Sequence, residues 1–291
     1  MKGIILAGGS GSRLAPLTTC TSKQLLPVFD KPMIYYPLSV LMQSGIREVL
    51  LITTPVDQDR FRALLGDGSS FGIELSYVVQ TEPRGLADAF ILGADFIGSG
   101  PVTLILGDNL FHGDGLSTML QDAQASNSGA TIFSSHVDRA ERYGVVCLDG
   151  TGKPVSIEEK PRVPKSNLAV TGLYVYDNSV LGIAKTVKPS ARGELEITDV
   201  NRSYMLQGSL SVTQLSRDIA WLDTGTAEAL LEASEFVRSL QHRHGLQIAC
   251  LEEIGLQRGW LDIQMVEKAS SLTRSSGYGI YLQKVCDNYK K

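Results

Sequence analysis

Hydrophobic and polar positions follow two alternating patterns in the first part of the chain. Short apolar runs predict strands, and amphipathic stretches between them predict helices. The predicted strands are 3–7, 49–53, 74–80 and 102–108, and the predicted helices between them are 32–44, 58–65 and 85–97. Strands that alternate with helices of this length form βαβ units, so we expect a Rossmann-like, mostly parallel sheet with helices on both faces.

The spacing of the predicted strands changes after about residue 130. Closely spaced strands are predicted at 130–137, 143–149, 154–159 and 169–177, separated by turn signals such as Asp149-Gly150. From Thr226 onward the pattern is helical, over 226–243, around 251–258 and over 261–271. We therefore expect a mixed or antiparallel extension of the sheet. A C-terminal helical extension follows it, as a lid or an oligomer contact.

Composition and charge exclude several classes of protein. Of 291 residues, 43% are hydrophobic and 20% are charged, which is typical of a globular chain and not of a disordered or membrane protein. A net charge of −4 gives no basic surface for nucleic acid, although a few local cations could still hold a small anion. The apolar run at the N-terminus is too short for a signal peptide or a membrane span. We expect a cytoplasmic chain without membrane contact.

The cysteines and histidines do not form recognisable metal or redox motifs. The cysteines are too widely spaced for a paired motif, and we expect them to be reduced and buried or half-buried; they are Cys20, Cys147, Cys250 and Cys286. The histidines are isolated or lie at the end of a predicted helix; they are His112, His136, His242 and His244. A transition-metal site is therefore not expected.

A glycine-rich segment, Gly8-Gly9-Ser10-Gly11-Ser12-Arg13, directly follows the first predicted strand. Backbone amides of glycine can approach phosphate oxygens closely because no Cβ intervenes. Leu14 stands where a dinucleotide-binding fingerprint needs glycine or alanine, and no Gly-Lys-Ser/Thr tripeptide follows the segment. Glycines also suit a tight turn, but Arg13 and Lys23 close by favour a phosphate-binding loop.

Three charged segments are candidates for chemistry, each with a simpler alternative. Asp108 ends an apolar strand, at the carboxyl edge where open α/β sheets bind ligands, and Asp223 follows Trp221 at a second strand-to-loop junction. A lone aspartate at such a position can equally cap a turn or a helix. The run Glu158-Glu159-Lys160 also fits a solvated strand edge.

The opening LAGGSGSRLAPLT and the SKQLLPV that follows it resemble the signature of the sugar-1-phosphate nucleotidylyltransferases. Later segments resemble the same family in the same order and extend over nearly the whole chain, most closely its thymidylyl-transferring members. These segments are Gly107-Asp108-Asn109, RYGVV from Arg142, SIEEKP from Ser156, AVTGLY from Ala169, GELEITD from Gly193, WLDTG from Trp221 and CLEEI from Cys250.

The resemblance implies a nucleotide-diphospho-sugar transferase fold in three parts. A core of residues 1–225 would contain a nucleotide-binding half at about 1–110 and a sugar-phosphate-binding half at about 111–225. Residues 226–291 would form the helical extension and the contacts of a homotetramer. Leu230, Leu231, Phe236, Val237 and Leu240 form an apolar stripe in this extension, which fits either an oligomer contact or packing within the chain.

The implied reaction is the Mg²⁺-dependent, in-line transfer of a thymidylyl group from dTTP to α-D-glucose 1-phosphate, which releases pyrophosphate. The product, dTDP-glucose, would feed the synthesis of dTDP-rhamnose and surface polysaccharide. A uridylyl- or cytidylyltransferase for the same sugar phosphate is the alternative within the family. An NAD-dependent dehydrogenase would need the fingerprint that Leu14 interrupts, and a non-catalytic regulatory subunit would be expected to lack Arg13, Lys23 or an aspartate.

The resemblance also implies a role for each site residue. Arg13, Lys23 and Lys160 would be the catalytic cations, and Asp108 and Asp223 would hold Mg²⁺. The implied nucleotide-binding residues are Gly8, Gly9, Gly11, Ser12, Arg13, Lys23, Gln24, Gln80, Gly85 and Asp108. The implied sugar-phosphate-binding residues are Asn109, Gly144, Glu159, Lys160, Val170 and Tyr174. The Glu194-Leu195-Glu196 segment is interpreted as a loop near the site.

The chain departs from the family pattern next to the implied base site. The pattern usually reads GLAQAF, whereas this chain has Asp88 at the glutamine and Arg84 where an acidic or neutral residue is common. We predict an ion pair between these two side chains, which are four residues apart. The departure concerns the geometry of the base pocket and not the reaction.

Overall fold

The computed structural model describes residues 1–9, 11–126 and 128–290. Its strands are β1 (Lys2–Ala7), β2 (Pro27–Val28), β3 (Lys31–Pro32), β4 (Glu48–Thr53), β5 (Glu74–Val79), β6 (Val102–Leu106), β7 (Asn109–His112), β8 (Ala130–His136), β9 (Gly144–Leu148), β10 (Pro154–Glu159), β11 (Leu168–Tyr176), β12 (Leu210–Gln214) and β13 (Ala220–Asp223). Its α-helices are α1 (Tyr35–Gln43), α2 (Gln58–Leu65), α3 (Asp88–Leu92), α4 (Ala94–Ile97), α5 (Leu116–Ser126), α6 (Val180–Thr186), α7 (Ile197–Leu206), α8 (Ala227–His244), α9 (Leu251–Gln257), α10 (Ile263–Thr273) and α11 (Gly277–Tyr289). Short 3₁₀ turns cover Ser12–Leu14, Lys23–Leu25, Ser69–Phe71 and Ala140–Arg142.

Nine of the described strands form one mixed sheet. Its first part is parallel, in the order β6-β1-β4-β5. Strand β11 is antiparallel to β6 and connects this part to β8, β9 and β10, while β12 joins the edge of β8. The predicted parallel core is confirmed. The extension was predicted as mixed or antiparallel, and it is mixed because β12 is parallel to β8.

Helices cover both faces of the sheet. Because successive side chains of a strand point to opposite faces, Ile4 and Leu6 of β1 pack on one side with α3, α6 and α7, and Ile5 and Ala7 pack on the other with α1, α2, α5 and α9. A strand that is buried on both faces is expected for parallel sheets with helices on either side. This explains why the strands read as continuous apolar runs.

The predicted helix 85–97 is wrong in detail. Helical structure begins only at Asp88 and is interrupted at Gly93, which separates α3 from α4. Gly85 has φ = 103°, a value that no right-handed helix contains. An added Cβ on Gly93 would lie 3.1 Å from Ile4 Cδ1, so the glycine allows the chain to approach the sheet closely. The helices α5, α6, α7 and α11 and the short strands β2, β3, β7 and β12 were not predicted.

The C-terminal helices pack on the core of the same chain. Helix α8 lies against β2, β13 and the start of α1, where Ala233 and Val237 join a cluster with Val28 and Tyr36. Leu230, Phe236, Val237 and Leu240 of the apolar stripe belong to this cluster, whereas Leu231 is exposed. Packing within the chain therefore accounts for the stripe, and the predicted oligomer contact stays a prediction.

All four cysteines are free thiols, as predicted. Cys250 and Cys286 are buried and Cys147 is half-buried, but Cys20 is exposed, contrary to the prediction. Among the described residues, no helix combines the length and the apolar character that crossing a membrane requires.

Candidate active site

The glycine-rich segment leaves the end of β1 as a tight loop. Gly11 adopts φ = 62°, and an added Cβ there would lie 2.9 Å from Thr18 Cγ2. The hydroxyl of Thr18 donates to the carbonyl oxygen of Gly11 at 2.9 Å, which fixes this turn. Ser10 lies outside the described residues. Glycine is thus required here for the turn itself, and the loop retains the open backbone that a phosphate needs.

A cavity of about 200 Å³ opens beside this loop, at the carboxyl ends of β1, β5 and β6. This is the edge at which open α/β sheets bind ligands. Seven of the implied nucleotide-binding residues line the cavity, namely Gly8, Gly9, Lys23, Gln24, Gln80, Gly85 and Asp108. Gly11, Ser12 and Arg13 belong to the adjoining turn. Glu194 also lines the cavity, in agreement with the predicted loop near the site.

Asp108 and Asp223 approach each other because two short strands pair. β7 and β13 are antiparallel, and Asp223 stands opposite Asn109 in their register. The Lys23 ammonium forms a close ion pair with Asp108 Oδ2, and Nδ2 of Asn109 donates to Asp108 Oδ1 at 3.0 Å. The two aspartates, far apart in sequence, therefore belong to one site.

The pKa values of the two aspartates shift in opposite directions. Burial alone would raise the pKa of Asp108, but the Lys23 ammonium and the hydrogen bonds from Lys23 and Asn109 hold it below its ordinary value. The pKa of Asp223 is raised, first by burial and then by the negative charge of Asp108. Asp223 forms no ion pair with the described residues. One carboxyl group is thus neutralised by lysine. The other forms no ion pair in the part of the chain that the structure describes, although the charges of Lys23, Arg13 and Arg142 partly offset the rise of its pKa.

This donor set fits Mg²⁺. The ion commonly takes one or two carboxylates and completes its coordination with phosphates and water. Two facing aspartates, one with a raised pKa, are the arrangement that a hard cation would stabilise. The described residues contain no cluster of three or more metal-ligating side chains, so a fully protein-built cage is not the arrangement here.

Arg13 extends from the glycine-rich loop toward the Asp223 side of the cleft. An added Cβ on Gly225 would lie 3.1 Å from Arg13 Nη2 and 3.2 Å from Asp223 Oδ1. Glycine at 225 therefore leaves space for the guanidinium and the carboxylate together. Arg13 itself is exposed, so its donors remain accessible to a ligand.

The wall opposite Lys23 is built from Gln80 and the turn that follows it. The backbone amide of Gln80 donates to Thr53 at 2.8 Å, and its side-chain Nε2 donates to Asp88 Oδ2 at 3.0 Å. An added Cβ on Gly85 would lie 2.5 Å from both the backbone N and O of Leu195. Leu195 also forms two backbone hydrogen bonds around Gly85. Its amide donates to the carbonyl oxygen of Arg84, and its carbonyl oxygen accepts from the amide of Ala87.

The predicted ion pair between Arg84 and Asp88 is present, with 3.8 Å between Nη1 and Oδ1. Arg84 lies before the helix and not within it, since α3 begins at Asp88. The pair is therefore formed by the turn and not by helical periodicity.

Charged side chains converge on Glu159 at the end of β10. The Thr198 hydroxyl donates to Glu159 Oε2 at 2.5 Å, and Arg192 Nη2 and Lys160 Nζ lie 3.3 Å and 3.4 Å from Oε1. Lys160 has φ = 42°, an unusual value for a residue with a side chain, and its amide donates to the carbonyl of Tyr143. This wall is partly open to solvent.

Gly144 and Val170 complete this side of the cleft. An added Cβ on Gly144 would lie 3.3 Å from Thr198 Oγ1, 3.4 Å from Glu159 Oε2 and 3.8 Å from Val170 Cβ. The absence of a side chain at 144 therefore leaves Glu159 accessible. Four of the six implied sugar-phosphate residues thus lie together; they are Gly144, Glu159, Lys160 and Val170.

Asn109 and Tyr174 are the two implied sugar-phosphate residues with buried side chains. Asn109 Oδ1 accepts from Trp221 Nε1 at 2.6 Å and from the amide of Gly172 at 3.2 Å. Tyr174 is 3% exposed and stacks on Tyr176, and burial together with the charges of Glu159 and Asp108 raises its pKa. Both residues support the walls of the site, and their contact with a sugar stays a prediction.

Four residues that support the site were not selected from the sequence. They are Thr198 and Arg192, which hold Glu159, Leu195, which holds Gly85, and Trp221, which holds Asn109. Three of these lie within or beside the segment that begins at Gly193, and the fourth opens the segment WLDTG. The resemblance of those two segments to the family was the signal in the sequence that could have identified these residues. Only the structure shows which site atoms their side chains and backbone contact.

Comparison with known proteins identifies relatives of the whole chain. The Nucleotidyl transferase family matches residues 2–239. A glucose-1-phosphate thymidylyltransferase of Neisseria meningitidis is 57% identical over 282 residues, which are 97% of this chain and 98% of that protein. One from Mycolicibacterium smegmatis is 56% identical and covers 99% of each chain.

Solved structures give the same result. A Bacillus anthracis protein described as a glucose-1-phosphate thymidylyltransferase, solved with sucrose, is 43% identical with a TM-score of 0.77 and covers 82% of this chain and 95% of its own. A UDP-glucose pyrophosphorylase bound to UDP-glucose is 26% identical with a TM-score of 0.73 and covers 82% and 98% of the two chains.

Proposed function

The chain belongs to the nucleotidyl transferase family, and we infer that it transfers a thymidylyl group from dTTP to α-D-glucose 1-phosphate, forming dTDP-glucose and pyrophosphate. One structural observation carries the inference beyond the similarity. One cleft is lined by the glycine-rich loop, Lys23, Asp108 and Gln80. Arg192 connects Glu194 of this lining to Glu159, which directly precedes Lys160. Such a cleft suits two phosphorylated substrates that meet at their phosphates.

The chemistry is a displacement at phosphorus. A phosphate oxygen of the sugar phosphate attacks the α-phosphorus of dTTP. The bond from that phosphorus to the oxygen that it shares with the β-phosphorus breaks in line, and pyrophosphate leaves with that oxygen. Because both substrates are anions, the protein acts mainly by positioning them and by stabilising negative charge. No nucleophilic side chain is needed.

Three cationic side chains would each stabilise a different phosphate group. Arg13, exposed beside the glycine-rich loop, is placed for the leaving pyrophosphate, and its planar fork can bond two oxygens at once. Lys23 is buried next to the loop and is placed for the reacting phosphoryl group. Lys160, on the opposite wall, is placed for the phosphate of the sugar.

Asp108 and Asp223 are the residues that would hold Mg²⁺. When bound, the ion would neutralise phosphate charge and act as a Lewis acid toward the α-phosphoryl oxygen. Lys23 meanwhile holds the carboxylate of Asp108 in place, and Asn109 fixes its orientation.

The Gln80 wall is placed to recognise the base. A glutamine carboxamide and the fixed backbone around Gly85 supply both donors and acceptors, which complement the edge of a pyrimidine. On the opposite wall, Glu159 supplies an acceptor for sugar hydroxyls. Uracil has the same hydrogen-bonding edge as thymine, so UTP is the closest competitor, in line with the likeness to UDP-glucose pyrophosphorylase.

A pyrophosphate-release assay with glucose 1-phosphate and each of dTTP, UTP, dCTP, CTP and the purine nucleotides tests the proposal. We expect the highest kcat/KM for dTTP, a lower value for UTP, and much lower values for the others. The missing 5-methyl and the added 2′-hydroxyl of UTP each cost about 1–3 kcal/mol. A preference for a cytosine or purine nucleotide would refute the thymidylyl assignment.

We also propose that the enzyme is a cytoplasmic homotetramer whose product supplies dTDP-rhamnose and surface polysaccharide synthesis. Four of the five stripe residues on α8 pack within the chain, so we place the contact elsewhere on the C-terminal helices. Exposed apolar side chains on α10 and α11, such as Leu272 and Ile280, are available for it. Light scattering at micromolar concentration distinguishes a tetramer from a monomer.

A further inference from the structure

The carboxylate behind Gln80 has no role in the reaction as described so far. Asp88 is 2% exposed and lies outside the cavity lining, yet its Oδ2 accepts the hydrogen bond from Gln80 Nε2 at 3.0 Å. Its Oδ1 is buried without a hydrogen-bond partner among the described residues, and the Arg84 guanidinium, 3.8 Å away, supplies its only nearby ion pair there. Because Asp88 is buried, its hydrogen bond restrains the orientation of the side chain that donates to it, which is Gln80.

Asp88 determines which end of the Gln80 carboxamide points toward it. An ionised carboxylate only accepts hydrogen bonds, so it attracts Nε2 and repels Oε1. Oε1 then lies on the side of the glycine-rich loop, where an added Cβ on Gly8 would be 2.6 Å from it. Among the residues that the structure describes, none donates to this oxygen. Oε1 is therefore a free acceptor beside the cavity.

The orientation of the carboxamide distinguishes pyrimidine bases. Thymine presents a donor at N3 next to a carbonyl acceptor, which matches Oε1 and the second hydrogen of Nε2. Cytosine presents an acceptor at N3 next to an amino donor, and it would match the same carboxamide only after a 180° flip. The flip would turn Gln80 Oε1 toward the carboxylate of Asp88. Two acceptor groups would then face each other with no hydrogen available for a hydrogen bond.

We propose that Asp88 is a positioning residue that locks Gln80 in the orientation complementary to an imide edge and thereby excludes cytosine nucleotides. The proposal rests on the assignment of Gln80 to the base under the proposed function. It also gives a role to the departure at position 88, since an amide there could turn and accept either orientation of Gln80.

The test compares kcat/KM for dTTP and dCTP, at saturating glucose 1-phosphate, in the wild type and in Asp88→Asn. Asparagine keeps the shape of the side chain but can present a donor or an acceptor, so Gln80 becomes free to flip. We expect the dTTP-to-dCTP ratio to fall about tenfold through a gain in dCTP use, because hydrogen-bond complementarity sets such ratios. The KM for glucose 1-phosphate should not change.

A matched control is Arg84→Gln. This variant removes the positive charge beside Asp88 but keeps Asp88 Oδ2 as the acceptor for Gln80 Nε2. Its ratio should stay within about twofold of the wild type, because the hydrogen bond from Gln80 Nε2 to Asp88 Oδ2 does not involve Arg84. Should Asp88→Asn not fold, Asp88→Gln provides the same measurement with the residue that the family pattern carries.

The outcomes separate the inference from the function on which it rests. A folded Asp88→Asn or Asp88→Gln variant with the wild-type ratio, or with equal losses for both nucleotides, overturns the role of Asp88. A wild type that does not use dTTP overturns the proposed function instead. A fall in the ratio in both variants, with no change in Arg84→Gln, supports the lock.

Discussion

The two walls of the cleft hold their polar groups in different ways. On the nucleotide side, Gln80 is 5% exposed and contacts the buried carboxylate of Asp88, and Gly85 is held between backbone bonds to the Leu195 region. On the sugar-phosphate side, the side chains of Arg192 and Lys160 are 41% and 49% exposed and share Glu159.

The difference indicates where specificity and where affinity arise. A buried polar contact cannot be replaced by water, so its loss is costly and specific. Exposed ion pairs are worth about 0–1 kcal/mol each because solvent screens them and substitutes for either partner. The nucleotide wall should therefore be intolerant of single substitutions, and the sugar-phosphate wall should tolerate them.

The largest effect is expected at the two aspartates, which belong to neither wall. Asp108→Asn and Asp223→Asn should each lower kcat by about a hundredfold or more, because each would remove a charged ligand of a phosphoryl-transfer metal. Steady-state kinetics over a range of Mg²⁺ concentrations, with thermal unfolding to verify the fold, measures this. Asp95→Asn, on the exposed surface of α4, is the control. Near-wild-type turnover without added metal in a folded variant would disprove the shared site.

Arg13→Ala should give the next largest effect. The charge that Arg13 meets grows as pyrophosphate leaves, so kcat should fall about thirtyfold to a hundredfold, while the KM for dTTP changes much less. Arg13→Lys should restore little, because an ammonium lacks the bidentate fork. If kcat is retained and only KM rises, Arg13 is a ground-state phosphate clamp and its place in the mechanism changes.

Gly85→Ala tests the rigidity of the nucleotide wall directly. The added Cβ would overlap the Leu195 backbone at a φ of 103°, and such strain costs about 1–3 kcal/mol. We expect the KM for dTTP to rise about tenfold, with the KM for glucose 1-phosphate unchanged. Gly98→Ala is the matched control, since Gly98 also has a positive φ but no described atom lies within 4 Å of the new Cβ. Equal effects of the two variants would show that the Leu195 contact is unimportant.

The smallest effect is expected on the sugar-phosphate wall. Arg192→Ala should raise the KM for glucose 1-phosphate less than about fivefold, because Lys160 and Thr198 still hold Glu159. The difference from the wild type should shrink further at high salt, which screens exposed charges. Titration of glucose 1-phosphate at low and high ionic strength measures both. A hundredfold loss that salt does not reduce would contradict the contrast between the walls.

Much of the fold was predictable because its signals are local. An apolar run such as β4 is buried on both faces in the parallel sheet, and the helix 58–65 was predicted with the bounds of α2. The glycine-rich loop and Asp108 were placed correctly at the ends of β1 and β6, because each follows its strand without an interruption. The prediction of a helix over 85–97 was wrong because glycine is required at 85 and 93 by close contacts with Leu195 and with the sheet. These contacts are distant in sequence, so no local pattern shows them.

The sequence alone determined the alternation of strands and helices up to β6, the glycine-rich turn and the residue types that carry the chemistry. Through its ordered motifs it also determined the family. Tertiary structure decided which of these residues meet. The pairing of β7 with β13 brings Asp223 next to Asp108, and the turn after β5 brings Asp88 behind Gln80. Strands of four residues carry too short a pattern to predict their partners. The orientation of a carboxamide depends on its hydrogen-bond partner in space, which no local pattern records.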